Sequence, residues 1–220
     1  MKQLISVFAI MAIMFTACTS STKKGQDQAN SDMEMNQGND DQDIGHEMDG
    51  YQHDHDMDSM MGDQDMDSNV TVQESQTASV VIDSYLEIKN ALVEDDDRKA
   101  ASAGNDLLNA LNSIDAGSVD PDKITEFKDI LADAKENADH ISENKGNIEH
   151  QREHFEMLGT DIKDLITLTG SDRPLFLILC PMYNNNKGGI WLSASAEIRN
   201  PYYGSKMISC GEVKMKISVK

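Results

Sequence analysis

The chain divides near residue 75 into two parts of very different composition, and only the second can form a packed domain. No Lys or Arg lies between Gly25 and Ile88, and residues 19–74 are rich in Asp, Asn, Gln and Gly but poor in large apolar residues other than Met. Such a segment buries too little apolar surface to offset the entropy of the chain. We therefore predict a disordered acidic tether over residues 18–74 and a folded domain over residues 75–220.

The first residues have the layout of an export signal. An apolar run from Leu4 to Phe15 follows a single Lys and is too short to span a bilayer. The four residues FTAC, which end at Cys18, resemble a bacterial lipobox, and this implies cleavage after residue 17 and acylation of Cys18. Because several acyl chains on one residue give a stable anchor, we expect a signal peptide at 1–17 and a membrane-anchored lipoprotein that faces the periplasm.

Apolar residues at helical spacing predict four helices in the domain, beginning near residues 80, 97, 121 and 139. The second follows a run of acidic residues, and the third follows Asp120-Pro121, a usual helix start. The fourth is predicted to run unbroken from about Asp139 to Thr169, because apolar residues repeat every seven positions along it. These seam residues are Ile141, Ile148, Phe155 and Ile162.

After Pro174 the pattern changes from helical to extended. Residues 175–180, LFLILC, form a short apolar run that suits a buried strand, and NNNKGG at 184–189 favours a turn. Further extended pieces follow, and the last of them alternates apolar and polar residues as a half-buried strand does. We therefore predict a mainly α fold, a four-helix bundle with a small antiparallel β cap at its C-terminus.

The tether is unusually dense in soft metal donors. Cu(I) and Ag(I) prefer thiolate, thioether and imidazole ligands, whereas a solvated tether needs polarity but no Met. Seven methionines lie between Met33 and Met66. The tether donors that we expect to capture metal are His46, Met48, His53, His55, Met57, Met60, Met61 and Met66.

Four sulfur-bearing residues lie in the predicted cap: Cys180, Met182, Met207 and Cys210. They would form a soft-metal site if the cap folds their two loops together. Two other interpretations remain open at this point. The cysteines could form a disulfide in an oxidising compartment, and the methionines could serve as core packing.

Histidines on the predicted fourth helix form another candidate site. His150 and His154 lie one helical turn apart and could share a ligand, although they could equally be surface residues beside Arg152. His140 would lie about 15 Å from His150 if the helix is continuous, so we expect it to take no part in the same site.

Charge and motifs limit the class of function. The formal net charge of −20 argues against nucleic acid as a partner, since nucleic-acid binding needs a basic surface, and it suits cations. The sequence has no glycine-rich phosphate loop, no GxSxG and no HExxH motif, and we therefore expect a protein that is not an enzyme.

Four stretches together resemble a known family: YLEIKNALVEDD, HISENKGNIEHQREHFEML, CPMYNNNKGGIWLS and EIRNPYYGSKMISCGEV. The family is an uncharacterised periplasmic domain of unknown function, found in lipoproteins and at the ends of RND-type heavy-metal efflux adaptor subunits. The resemblance covers roughly residues 80–217 and implies a metal-handling context, with no catalytic residues to carry over. The long β-barrel and hairpin segments of a full adaptor are absent from this sequence.

Two functions from different classes follow from these observations. The first is a lipid-anchored periplasmic binding protein for copper or silver, as Cu(I) or Ag(I), that serves as a scavenger or chaperone for a heavy-metal efflux adaptor or a copper pump. The alternative is a structural or interaction lipoprotein that docks on an envelope assembly, with a Cys180–Cys210 disulfide and no specific metal role.

Overall fold

The computed structural model describes residues 69–220. Within this range no helix is both long and apolar enough to cross a membrane. The mainly helical fold with a small C-terminal sheet that the sequence predicted is confirmed. Its main elements are β1 (Val70–Val72), α1 (Ser79–Val93), α2 (Asp97–Ser113), α3 (Ile124–Glu143), α4 (Ile148–Thr169), β2 (Leu175–Cys180), β3 (Gly189–Ser193) and β4 (Glu212–Val219).

Local side-chain chemistry sets where the helices begin and end. Asp96 caps α2 by accepting a hydrogen bond from the backbone N–H of Lys99 at 2.9 Å. Asp120-Pro121 starts a 3₁₀ turn that leads into α3. α4 ends at Thr169 as predicted, and Gly170 follows it with a φ of 84°, where a side chain would clash with the carbonyl of Gln73.

The predicted unbroken helix from Asp139 to Thr169 is wrong. The chain leaves helical geometry after Glu143, turns through Gly146 at a φ of 92°, and starts again at Ile148 with Asn147 as the capping residue. The carboxylate of Asp97 accepts a hydrogen bond from the Gly146 N–H at 2.6 Å and so attaches the turn to the start of α2. Residues 124–169 are therefore a helical hairpin.

The sheet has four strands in the order β1-β4-β2-β3. β2 pairs antiparallel with both of its neighbours, as expected of an antiparallel cap. β1, however, pairs in parallel with β4 through Val70–Ile217 and its neighbours, which makes the sheet mixed. The sequence assigned residues 70–74 to the tether, but the structure places β1 in the sheet, because an isolated three-residue strand leaves almost no signal in a polar segment.

The core lies between the bundle and the inner face of the sheet. Ile141, Phe155 and Ile162 of the predicted seam are fully buried. Gly159 lets α4 approach β3, since a Cβ at this position would lie 2.8 Å from the carbonyl oxygen of Ile190. These contacts hold α4 rigidly against the sheet, with its histidine-bearing side facing α3.

Candidate metal site

Three histidines meet at the α3–α4 hairpin. His140 comes from the last turn of α3, and His150 and His154 come from the first two turns of α4. One potential ligand atom from each of the three lies within 4.8 Å of the others. The ring of His154 stacks on the ring of His140, with centroids 4.2 Å apart. The ring of His150 lies edge-on to the ring of His154, with centroids 4.7 Å apart.

The expectation that His140 takes no part was wrong because it assumed a continuous helix. The turn at residues 144–147 reverses the chain, so that the end of α3 lies beside the start of α4. The local sequence Lys145-Gly146-Asn147 is a signal for a helix end followed by a new start, and it would have predicted the hairpin. The seven-residue spacing from Ile141 to Ile148 masked it, since both residues face the same core.

A chain of two hydrogen bonds orients the ring of His154. Its Nδ1 lies 2.9 Å from Oδ1 of Asn137, and Nδ2 of Asn137 donates to the carboxylate of Asp161 at 2.9 Å. Because the Asn137 amide uses its donor side on Asp161, its oxygen faces the imidazole and must receive a proton from Nδ1. His154 therefore carries its proton on Nδ1 and presents the lone pair of Nε2. The sequence did not indicate Asn137 or Asp161.

His150 is oriented in the same way by a closer neighbour. Its Nδ1 lies 3.0 Å from a carboxylate oxygen of Glu153, three residues further along α4. A carboxylate accepts hydrogen bonds, so Nδ1 again carries the proton and Nε2 remains available as a ligand. His150 is half-buried rather than a free surface residue, and so are His140 and His154.

The electrostatics of the cluster favour the neutral imidazole. Burial and, to a smaller extent, repulsion from the protonated forms of His140 and His150 together lower the pKa of His154 to about 4. A neutral imidazole is the form that binds metal ions. At neutral pH the ring of His154 is therefore ready to ligate without first losing a proton.

The carboxyl group of Asp161 has the opposite perturbation. Burial is the main cause that raises its pKa to about 7, a net value that includes the lowering effect of the hydrogen bond from Asn137 and repulsion from Asp133, Asp164 and Glu156. Since the fold raises this pKa above its unfolded value, Asp161 contributes stability below pH 4 that is lost as the pH rises through about 7.

We expect Asp161→Asn to stabilise the domain at pH 8, by roughly 2 kcal/mol, because it removes a buried charge while the new amide oxygen still accepts from Asn137. The gain should be much smaller at pH 5, where Asp161 is already protonated in the fold. Urea unfolding at the two pH values measures both numbers. Asp129→Asn, at an exposed position of α3, is the matched control. An equal gain at pH 5 and pH 8 would rule out titration of Asp161 as the cause.

The arrangement can hold a metal ion. Tetrahedral zinc–imidazole bonds of about 2.0–2.1 Å place neighbouring nitrogens roughly 3.3 Å apart. The observed spread of up to 4.8 Å is wider than this, so the three rings would have to draw closer together around a bound ion. Two of the three rings already donate Nδ1–H to an oxygen, which is the usual outer contact of a metal-bound histidine.

The cap brings the two predicted cysteines together. Their Sγ atoms lie 3.2 Å apart and both thiols are free, with Cys180 fully buried and Cys210 half-buried. The predicted methionine partners are placed differently: Met182 is exposed and Met207 is half-buried. Both methionines hydrogen-bond through their backbones: the Met182 carbonyl accepts from the Tyr203 hydroxyl, the Met207 carbonyl accepts from the Cys210 N–H, and the Met207 N–H donates to Gly204. The four-sulfur site stays a prediction.

The remaining predicted sites lie outside the described residues. These are the signal peptide at 1–17, the lipidation site Cys18 and the tether donors His46, Met48, His53, His55, Met57, Met60, Met61 and Met66.

The fold and the site together define a helical-hairpin domain that carries a histidine cluster at its turn. Comparison with known proteins finds a similarity over part of this unit: the model of a protein family of unknown function, DUF3347, matches residues 81–173. The match runs from α1 past the end of α4 and so includes all three histidines. Neither the search of curated proteins nor the search of solved structures found a match.

Proposed function

We propose that this protein is a lipid-anchored, periplasm-facing binding protein for copper or silver that acts as a scavenger or chaperone accessory to cation efflux. The observation that carries the metal-binding role is the convergence of His140, His150 and His154, with ligand atoms within 4.8 Å of one another. Imidazole is a good ligand for copper, and three of them at one point are more than the packing of a helical hairpin requires.

The sequence supports the other parts of this proposal. The FTAC segment ending at Cys18 favours a lipid anchor, and the Met- and His-rich tether favours capture of soft ions. The acidic chain, with a formal net charge of −20, attracts cations. The resemblance to domains at the ends of heavy-metal efflux adaptors suggests an adaptor or a copper pump as the protein partner. We propose binding rather than catalysis, because the three histidines account for a metal site without any further reacting group.

We expect one equivalent of Cu²⁺ to raise the melting temperature of the full chain, because an ion that binds only the folded state stabilises it. At a free concentration of about 100 times Kd the gain is about 2.7 kcal/mol, or roughly 5–10 °C for a domain of this size. Replacing His140, His150 and His154 together by Gln should abolish the rise. Differential scanning calorimetry with the metal salt alone measures it.

The matched control changes the same residue type in the tether. A chain with His46, His53 and His55 replaced by Gln should keep the full rise in melting temperature, because an ion bound only by the tether does not stabilise the folded domain. The proposed metal-binding role fails if no metal stabilises the wild-type chain. It also fails if the variant without His140, His150 and His154 is stabilised as much as the wild type.

A further inference from the structure

The histidine cluster contains nitrogen donors only. The grouping at the hairpin consists of His140, His150 and His154, and neither cysteine of the cap belongs to it. Soft monovalent ions are selected by thiolate and thioether, whereas imidazole without sulfur suits borderline divalent ions such as Zn²⁺ and Cu²⁺. The ligand set of the folded domain therefore differs in kind from the Met-rich set of the tether.

Nearby carboxylates supply the negative charge that a divalent ion needs. Glu153 accepts from the ring of His150, and Asp161 is linked to the ring of His154 through Asn137. A cation bound to an imidazole strengthens the hydrogen bond from the opposite ring nitrogen, because positive charge on the ring makes its N–H a better donor. Glu153, and Asp161 in its ionised form, thus stabilise a doubly charged ion without touching it.

Asn137 fixes how the ring of His154 is oriented relative to Asp161. It is buried, lies three residues before His140 on α3, and joins His154 and Asp161, which both belong to α4. Its amide donates to Asp161 and accepts from His154, so reversing the amide would break both bonds. Asn137 therefore holds His154 in the one tautomer that presents Nε2.

We propose that the histidine site takes a borderline divalent cation, Zn²⁺ or Cu²⁺, with the Nε2 atoms of His150 and His154 among its ligands, and that Asn137 and Asp161 are positioning residues of this site. The inference rests on the proposed function, because it names the class of ion that the folded domain binds and the residues that orient its ligands. The tether and the domain then serve different forms of metal: the tether takes soft monovalent ions, and the hairpin takes divalent ones.

The tautomer of His154 tests the positioning role before any metal is added. Long-range ¹H–¹⁵N correlation spectra of the metal-free full chain at pH 7.5 should show His154 protonated at Nδ1. Asn137→Leu, which fills the same buried space without an amide, should produce a mixture of the two tautomers. Asn109→Leu, on the exposed side of α2, should leave the spectrum of His154 unchanged. If His154 of the wild-type chain is protonated at Nε2, the proposal is wrong, and this result can be interpreted without any variant.

Metal affinity provides the second measurement. Chelator competition is run with ZnCl₂, CuCl₂ and AgNO₃ separately, on the full chain with His46, His53 and His55 replaced by Gln. We expect Asn137→Leu to weaken Zn²⁺ and Cu²⁺ binding by about 10–100-fold, with the stoichiometry unchanged. Asn109→Leu should change neither affinity by more than about twofold.

The outcomes separate this inference from the proposed function. If the His140, His150 and His154 variant loses binding but Asn137→Leu retains the full affinity and the wild-type tautomer, the positioning role is wrong and the metal site stands. If these histidines bind Ag⁺ more tightly than Zn²⁺ or Cu²⁺, the divalent class is wrong. If no ion binds the histidines in the wild-type chain, the proposed function fails first.

Discussion

Replacing Arg152 by Met should lower the free energy of unfolding by about 3 kcal/mol, which makes it one of the two largest effects that we predict. Arg152 has only 2% of its side chain exposed, between the two histidines of α4. Its guanidinium donates to the carbonyl oxygens of Leu92 and Pro201, at 3.1 and 2.9 Å, and to a carboxylate oxygen of Asp95 at 2.6 Å. One side chain therefore joins α4 to the end of α1 and to the loop before β4.

The cost comes from the acceptors that the change leaves behind. Methionine has no donor, so the Pro201 carbonyl loses its hydrogen bond in a buried region, and the Leu92 carbonyl keeps only the one from the Asp95 N–H. Asp95 would keep its hydrogen bond from the Ser205 N–H and could be hydrated, since a third of its side chain is exposed. The estimate therefore lies at the low end of the range for breaking a buried ion pair.

Urea unfolding monitored by circular dichroism measures this loss. Arg98→Met, at an exposed position of α2, is the matched control and should change stability by less than about 0.5 kcal/mol. Arg152→Lys should fall between the two, because an ammonium keeps the charge but cannot reproduce the planar fork of donors. A loss below 1 kcal/mol for Arg152→Met would mean that the loop before β4 is held by other contacts.

The sequence predicted the elements whose signals are local. Asp96, Asp120-Pro121 and Gly170 set helix boundaries through their own side-chain or backbone preferences, and these were recognised. β2, β3 and β4 were found for a similar reason, since each carries a continuous or alternating apolar pattern. β1 was missed because three residues carry no pattern, and its place is set by pairing with a strand almost 150 positions later.

The candidate site was only half predictable, because its geometry depends on a reversal of the chain. Two of its histidines share a helical face and could be found from spacing alone. His140 joined them only once the turn at Gly146 was known. Asn137 and Asp161 carry no sequence signal at all, because Asn and Asp are ordinary residues on a helix surface and their pairing exists only between packed helices. The sequence also gives no sign that Arg152 is buried, since three of its four hydrogen-bond partners lie 49 to 60 positions away.

The other large effect concerns the pair Cys180 and Cys210, for which the structure allows metal ligation and a disulfide to be compared directly. Metal ligation requires thiolates, but burial and the hydrogen bond with Cys180 raise the pKa of Cys210 to about 11. A disulfide requires only that the sulfurs meet, and they are already in contact at 3.2 Å. We therefore expect a disulfide whenever an oxidant is present. Two thiols lose two protons and two electrons, and the electrons pass to dioxygen or to the disulfide of a thiol oxidoreductase.

The bond should stabilise the domain by about 3.5 kcal/mol at 25 °C, because it closes a loop of about 30 residues in the unfolded chain. Thiol counting under denaturing conditions should find no free thiol at positions 180 and 210 in the oxidised protein and two in the reduced protein. Urea unfolding of the same chain with and without reductant then gives the contribution of the bond free of any mutational effect. Reductant should have no effect on the variant with both cysteines changed to Ala. Two free thiols in freshly isolated protein, together with stabilisation by Ag⁺ that this variant loses, would instead assign the pair to a soft-metal site.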